Sequence, residues 1–370
     1  MKRFGWILLL LMAAPHAWAA NKKITVQELN VLLASMQQNK KTDPEVAEKL
    51  TQIDLTEELT HDTMSKMSGL VPGSLTGAEL ELLEGKTSFL APPPADLPSA
   101  PAPDAAAQKA ILAKAMDYAT KTYMQNPHLS VFKSTVRYQD DARRTGVSEA
   151  PTAILLNGPM QLFDRHIEPV EMDKGIEKAA VSRAKTKWGE NGRISEGEPG
   201  FNLGAVVGEA SAMGKFDWLR WQTIDGKPVA VFSFAVDKKK SHFDVSYCCF
   251  PDASVGGSTA VGGHTVLNTN WVPFKKVVGY HGEIFVSPDS GAIVRIITNA
   301  ELNPTSLVTK EGRRIDYARV VVEGKEYLLP RVAITLVEAV PNGDRENAVY
   351  RVRHTLLKAV YQNYKMADAH

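Results

Sequence analysis

The stretch WLRWQTIDGKPVAVFSFAV, from Trp218 to Val236, decides the predicted fold because it holds two strand patterns around a tight turn. Residues 229–236 form an unbroken apolar and aromatic run, and the dipeptide Asp225-Gly226 separates it from residues 218–224. Asp-Gly between two such runs is a strong signal for a two-residue hairpin turn. The sequence therefore predicts an antiparallel hairpin, which ends at the Lys238-Lys239-Lys240 run.

Further short strands follow, and they predict an antiparallel sheet because tight turns join neighbours along the chain. We expect Phe243–Phe250 to be the third strand of a meander with the first hairpin. Pro330 predicts either an edge position or a bulge, since proline cannot donate a ladder hydrogen bond. The other predicted strands are Glu283–Ser287, Ala292–Thr298, Ile315–Val322, Tyr327–Leu336 and the closing strand Val349–Tyr361.

Helical spacing of apolar residues dominates the chain before residue 90 and predicts helices around residues 26–36, 46–53, 56–67 and 76–84. Residues 91–107 are rich in proline and alanine, which predicts a semi-rigid spacer. An ordered loop that wraps the domain is the alternative. Two more helices are predicted, from Ala105 to Met124 and from a capping Asn202 to Gly214.

The first nineteen residues have the pattern of a secretory signal peptide. Lys2-Arg3 is basic, an apolar run follows, and Ala17-Trp18-Ala19 supplies the small residues that signal peptidase recognises. The run is shorter than the roughly 20 residues that a membrane span needs. We therefore predict a periplasmic or secreted protein that starts at Ala20 and has no transmembrane segment after cleavage.

Cleavage between Ala19 and Ala20 is directly testable. Amino-terminal sequencing of the exported protein is expected to read Ala-Asn-Lys-Lys, because the Ala-Trp-Ala site ends at Ala19. An exported protein that keeps Met1 would contradict the prediction.

Charge and motif content exclude several function classes. Without Lys2 and Arg3 the chain has 41 basic and 42 acidic residues, a net charge of about −1. Nucleic-acid binding normally requires a basic stripe, so no nucleic-acid partner is predicted. The closely spaced ligands of zinc sites and the Gly-rich phosphate loop motif do not occur. The sequence predicts no metal site, no cofactor and no catalytic residue.

Cys248 and Cys249 are the only cysteines and are adjacent. Their Cα atoms would lie about 3.8 Å apart, below the usual disulfide range of roughly 4.4 to 6.8 Å. In a regular strand they would also point to opposite faces, which favours two thiols. The alternatives are a strained vicinal disulfide, acting as a redox or rigidity element, and intermolecular pairing or metal binding.

Aromatic residues recur on successive predicted strands and suggest either a packed core or an apolar pocket. In the pocket interpretation, the concave face of a curved sheet binds an apolar ligand. The predicted ligand-binding residues are Trp221, Phe232, Phe234, Tyr247 and Phe285.

With this layout, the hairpin GEIFVSPDSGAIVRI, Gly282 to Ile296, resembles the strand, Asp-x-x-Gly turn and strand of the LolA/LolB/RseB-like superfamily of exported bacterial domains. The segment DGKPVAVF, Asp225 to Phe232, is similar in style. The resemblance implies an α+β fold in which an antiparallel half-barrel wraps over helices around an apolar cavity. It covers at most residues 108–365. The helices before the spacer and the loop from Pro251 to Asn270 depart from the compact carriers of this superfamily.

The predicted organisation is a signal peptide (1–19), a helical region (20–90), a Pro/Ala-rich linker (91–107), a β-rich LolA-like domain (108–365) and a tail (366–370). The leading hypothesis is a non-enzymatic binding or chaperone-like module for an acyl chain, a lipid or lipoprotein-like cargo. A structural protein of the cell envelope, with a partner on the N-terminal helices, is the second. A redox enzyme that uses Cys248-Cys249 is the third.

Overall fold

The computed structural model describes residues 21–140, 142–144, 155–157, 159–178, 193–194, 203–251, 259–261, 264–266, 271–339 and 353–367. The predicted cleavage site at Ala19 and Ala20 and the predicted cap Asn202 lie outside these residues. The described helices are α1 (Val26–Gln38), α2 (Asp43–Leu50), α3 (His61–Lys66), α4 (Ser74–Thr87), α5 (Ala105–Asp117) and α6 (Leu203–Met213).

The described strands, in chain order, are β1 (Lys22–Ile24), β2 (Ile53–Leu55), β3 (Leu129–Gln139), β4 (Ala142–Arg144), β5 (Leu155–Asn157), β6 (Gln161–Asp173), β7 (Ile176–Lys178), β8 (Arg193–Ile194), β9 (Phe216–Ile224), β10 (Lys227–Val236), β11 (Asp244–Pro251), β12 (Thr259–Val261), β13 (His264–Val266), β14 (Trp271–Val277), β15 (Tyr280–Val286), β16 (Ile293–Ala300), β17 (Val308–Val322), β18 (Lys325–Ala339) and β19 (Arg353–Met366).

A ten-stranded antiparallel sheet organises the molecule, in the order β7-β6-β3-β19-β18-β17-β16-β15-β10-β9. The sheet is open, with β7 and β9 at its edges. Helices pack on it, so the predicted α+β class with an antiparallel sheet is confirmed. The predicted hairpins of β9 with β10, β15 with β16 and β17 with β18 are confirmed as well.

The turn between β9 and β10 shows why the Asp-Gly signal was reliable. Asp225 and Gly226 both have positive φ angles, 48° and 72°. A two-residue turn with both central residues in this region matches the twist of the flanking strands, and glycine and aspartate adopt it more easily than most residues.

The prediction that Phe243–Phe250 extends this hairpin is wrong. In the structure β11 pairs with β14 and β8 in a separate three-stranded sheet. The place beside β10 is taken by β15, which pairs with it over seven residues from Ala230 to Val236. A short 3-10 helix at Lys238–Lys240 leads the chain away from β10. Strand β10 therefore pairs with a strand that lies further along the chain than the predicted neighbour.

Pro330 lies at a bulge. Asp316 pairs with Val332 and Tyr317 pairs with Pro330, so β18 has one extra residue, Arg331, at this point. Because β18 lies between β17 and β19, the bulge alternative is confirmed and the edge alternative is wrong. The bulge lets a central strand carry a residue that cannot donate.

The long strands β3 and β6 were not predicted. β3 buries every second residue, but four of its six buried positions carry polar side chains: Lys133, Thr135, Arg137 and Gln139. β6 is largely exposed before Val170. Neither strand therefore shows the apolar alternation on which strand prediction depends.

The two faces of the ten-stranded sheet contact different parts of the chain. We call the side that packs on α5 and α6 the inner face, and the side that packs on α4 the outer face. The inner face and these two helices share the main hydrophobic core. On the outer face, Leu82 of α4 packs against Ile334, Leu336 and Leu356. A Cβ atom on Gly85 of α4 would lie 2.7 Å from Leu356 Cδ2, so glycine permits this close approach.

The N-terminal unit, residues 21–90, has its own core of Leu29, Leu33, Leu50, Leu59 and Leu80 with neighbouring apolar residues. Its helices α1, α2 and α4 lie near the predicted positions. The predicted helix 56–67 is shorter, because Thr60 caps α3 and accepts a hydrogen bond from Thr63 N at 3.2 Å. The small parallel pair of β1 and β2 was not predicted.

Hydrogen bonds tie the proline-rich segment 91–107 to other described parts of the chain. Glu58 N donates to Ala91 O at 2.8 Å. Thr63 Oγ1 donates to Asp96 Oδ2 at 2.8 Å, and Trp221 Nε1 donates to Pro101 O at 2.9 Å. These hydrogen bonds are typical of an ordered connection. The domain boundaries remain a prediction.

Candidate functional site

Four of the five predicted ligand-binding residues meet at the inner face. Phe232, Phe234 and Tyr247 are buried in the main core, and Trp221 packs against it half-buried. Phe285 lies on the outer face instead, with Val229 and Val231. Four of the rings therefore belong to one core cluster, and the fifth lies on the opposite side of the ten-stranded sheet.

The inner-face rings are closely packed. The Phe232 ring contacts Trp218 edge-on, with centroids 5.4 Å apart, and Phe234 contacts Tyr280 in the same way at 6.0 Å. Helix α6 contributes Leu203, Val206, Val207 and Ala210 to the same core. Its Glu209 accepts a hydrogen bond from the Tyr280 hydroxyl at 2.9 Å. Phe232 and Phe234 are therefore residues of the core to which α6 also contributes.

The redox prediction for Cys248 and Cys249 concerns side chains outside those that the structure describes. Their backbone belongs to β11, where the pairing with β14 shifts between Tyr247 and Phe250. This shift inserts one extra residue at the cysteines. The redox state of the two cysteines therefore stays a prediction.

A cleft in the N-terminal unit was not predicted. It has a volume of about 510 Å³ and lies between the start of α1, helix α3 and the proline-rich segment. Its volume falls within the range of roughly 300 to 1,000 Å³ that small-molecule sites occupy. The cleft is lined by Thr25, Val26, Gln27, Asn30, Glu57, Thr63, Lys66, Met67 and residues Pro93 to Asp96.

The buried lining of the cleft is apolar and its exposed lining is polar. Val26, Met67 and Pro93 are buried, whereas Gln27 and Asn30 are exposed on α1. Lys66 is exposed on the opposite side, on α3. A ligand with an apolar body would contact the buried residues, while a polar end would reach these exposed side chains.

Hydrogen bonds between distant parts of the chain fix the walls. Val26 N, at the first turn of α1, donates to Glu57 Oε1 at 2.8 Å. The bond from Thr63 to Asp96 ties α3 to the proline-rich segment. The capping box of α1, in which Thr25 and Glu28 bond each other's backbone, sets where that wall begins. The cleft is therefore a preformed feature.

Glu58, the residue after Glu57, belongs to a buried ion network that joins the N-terminal unit to the outer face of the sheet. Glu58 Oε1 lies 2.9 Å from Arg314 Nη1 and 3.3 Å from Arg295 Nη1. Both arginines also contact the carboxylate of Asp316. Glu57 thus binds the wall of the cleft, and the next residue, Glu58, binds two arginines of the sheet. Nothing in the local sequence distinguishes their roles, because the arginines are more than 230 residues away.

No group of three or more His, Cys, Asp or Glu side chains in the described residues could hold a metal ion. No helix among them is long and apolar enough to cross a membrane.

Comparison with known proteins does not assign this chain to a family. No family model and no curated protein matches the chain. The chain is similar to the crystal structure of a LolA superfamily protein from Nitrosomonas europaea, with 12% identity over 71% of this chain and 94% of that chain and a TM-score of 0.22. At that score the similarity carries no argument, so the fold class rests on the strands and helices themselves.

Proposed function

We propose that this protein is an exported, non-enzymatic binding protein whose ligand occupies the cleft of the N-terminal unit. The observation that supports this most is the cleft itself, because it combines a suitable volume, a buried apolar lining and walls held by long-range hydrogen bonds. The predicted export signal supports a role in the periplasm or outside the cell. The proposed ligand is the apolar one predicted from the sequence, and it occupies the cleft instead of the inner face.

The ligand class follows from the lining. Val26, Met67 and Pro93 offer apolar contact, which suits an acyl chain or a similar aliphatic body. The exposed Lys66 offers a cation to a carboxylate or another negative headgroup. Because the packed rings of the inner face are already covered by α6, the cleft is the better place for such a ligand.

Filling the cleft tests this function. Asn30 is exposed on its wall, so Asn30→Trp should occupy ligand volume with little effect on stability. We expect this variant to bind a dansyl-labelled fatty acid about tenfold or more weakly than the unchanged protein, a loss of roughly 1.4 kcal/mol. Fluorescence titration of the exported protein measures it.

Val31→Trp is the matched control. Val31 is the next residue of α1, is 62% exposed and does not line the cleft. It should leave the affinity for the probe unchanged. Equal losses in both variants, or no binding by the unchanged protein together with no co-purified lipid in native mass spectrometry, would contradict the proposed function.

A protein partner is the second candidate, and the exposed rim of the cleft favours it. The rim is built from α1, α3 and the proline-rich segment, and it exposes Gln27, Asn30 and Lys66. An extended peptide could bind across the exposed side chains of this rim without filling the apolar lining. Retained affinity for an envelope protein in Asn30→Trp, after the fatty-acid probe is lost, would separate the two candidates.

A further inference from the structure

Two tryptophans of the edge strand β9 lie side by side on the inner face of the ten-stranded sheet. Trp221 pairs with Ala230 of β10. Trp218 pairs with Phe232, and both of these β10 residues belong to the main core. Residues three apart would face opposite sides of a regular strand. The pairing shifts between them, so β9 has one extra residue, Leu219, and both indoles face the same side.

The two indoles form a fixed, half-buried aromatic surface. Their ring centroids are 5.0 Å apart and their planes are inclined at 72°. Behind them, the Trp218 ring packs edge-on against the buried ring of Phe232, with centroids 5.4 Å apart. Both tryptophans nevertheless remain partly exposed. The fixed rings therefore offer a surface to a further group on the side away from the core.

Residues 98–103 of the same chain, PSAPAP, reach this surface. The indole Nε1 of Trp221 donates a hydrogen bond to Pro101 O at 2.9 Å. Residues 99–102 are exposed. The flanking residues have extended backbone angles close to those of polyproline II, with φ −87° and ψ 132° at Leu97 and φ −66° and ψ 167° at Asp104. The segment is thus an extended, proline-rich strip on the surface of the molecule.

The chemistry of a proline-rich strip suits an exposed indole. A polyproline II backbone makes no internal hydrogen bonds, so its carbonyl groups are available to an indole N–H. The proline ring fixes φ, so such a strip is extended before it binds and loses little conformational entropy. Grooves lined by aromatic side chains recognise proline-rich segments in this way. The contact between Trp221 and Pro101 has the same chemistry.

The way in which the segment is held leaves this contact exchangeable. Pro101 accepts with its backbone carbonyl, which any extended proline-rich chain also presents. Separate hydrogen bonds hold the chain on either side of it. Thr63 Oγ1 donates to Asp96 before the segment, and Gln108 Nε2 donates to Pro103 O at 2.8 Å at its end. A carbonyl of another chain could therefore replace Pro101 O while those bonds stay in place.

We propose that Trp218 and Trp221 form a recognition site for an extended proline-rich segment of another protein. In the unbound protein, residues 98–103 of the same chain occupy this site and limit access to it. A partner then competes with a tethered segment, whose effective concentration is on the order of 1 mM. The site is separate from the cleft of the N-terminal unit and does not depend on the function proposed for it.

Peptide binding to the full exported chain tests this site. The probe is a fluorescein-labelled peptide with the sequence of residues 97–104, LPSAPAPD, and fluorescence anisotropy measures its affinity. Pro98→Gly/Pro101→Gly should release the segment, because glycine has more conformational freedom to lose than proline. We expect this double variant to bind the probe about tenfold or more tightly than the unchanged protein. Trp221→Phe, added to the double variant, should weaken binding about tenfold because phenylalanine has no N–H to donate.

Asp217→Asn, added to the double variant, is the matched control. Asp217 is exposed on β9 and precedes Trp218, so it faces the other side of the sheet. It should change the affinity by less than about twofold. The peptide LGSAGAGD, which lacks the prolines, should bind about tenfold or more weakly than the probe. Equal binding of the two peptides, equal losses from Trp221→Phe and Asp217→Asn, or no binding by the double variant would overturn the proposal.

The indole N–H resonance of Trp221 keeps the test decisive if a variant fails to fold. In the unchanged protein it must shift at about 5 mM peptide, several times the effective concentration of the tethered segment; no shift overturns the proposal. A dimer of the unchanged protein that Trp221→Phe dissociates would assign the site to a second copy and overturn the assignment to another protein. Asn30→Trp should leave peptide binding unchanged, which keeps the two sites distinguishable.

Discussion

Arg314→Met is expected to lower the free energy of unfolding by about 3 to 5 kcal/mol, the cost of leaving a buried charge without its partner. The Arg314 side chain is 2% exposed and lies 2.9 Å from Glu58 Oε1 and 2.8 Å from Asp316 Oδ2. After the change, Arg295 alone would face both acids. Because Glu58 belongs to the N-terminal unit, the loss should also loosen that unit from the sheet. Urea unfolding followed by circular dichroism measures it.

Arg319→Met provides a control on the same strand. Arg319 pairs with Glu326, but their side chains are 55% and 52% exposed. An exposed pair of this kind contributes about 0 to 1 kcal/mol. Similar losses in the two variants would show that burial of the Arg314 network does not determine its contribution.

The same network predicts how stability depends on pH. Burial alone would raise the pKa of the Asp316 carboxyl, but Arg295 and Arg314 outweigh it and hold that pKa well below its usual range. A carboxyl with a lowered folded-state pKa stabilises the fold fully above its unfolded pKa, about 3.9, and loses this contribution as the pH falls further. The difference between Arg314→Met and the unchanged protein should therefore be largest near neutral pH and shrink below about pH 4.

Phe232→Ala is expected to destabilise the protein by about 3 to 5 kcal/mol, as for a phenylalanine in a full core. Phe232 is fully buried, contacts Trp218 and lies opposite Ile284 on the neighbouring strand. Its removal would leave a cavity that α6 and the sheet can close only in part. A ring that borders an open cavity would cost clearly less, because it loses fewer contacts. Denaturant unfolding therefore decides whether the inner face is a core or a pocket.

Phe132→Ala is the matched control, since Phe132 lies on β3 of the same sheet and is 46% exposed. It should cost much less than Phe232→Ala. A loss below about 1 kcal/mol for Phe232→Ala would contradict the packed inner face and return this face to the ligand hypothesis.

Of the candidate sites, the sequence indicated the inner-face aromatics but not the cleft. Trp221, Phe232 and Phe234 stand on adjacent strands of a predicted hairpin, so their proximity follows from local pairing. The cleft joins Val26, Met67 and Pro93, which no local pattern connects. The predicted helix around residues 56–67 included Met67 but gave no reason for it to face a cavity. Phe285 lies on the outer face, apart from the other predicted rings. Alternation along a strand shows which residues share a face, but which face of the sheet this is depends on how the whole sheet packs.

What the sequence determined by itself is the set of short-range structures: the Asp225-Gly226 turn, the hairpins of the sheet, most of the helices and the α+β class. These depend on backbone preferences and on periodic apolar residues, which act over a few neighbouring positions. Only the tertiary structure decided that β15 pairs with β10 in place of β11, that buried polar residues line β3, and that Glu58 joins Arg314 across 256 residues. These outcomes depend on which distant surfaces match in shape and charge, and on the burial that makes an ion pair energetically important.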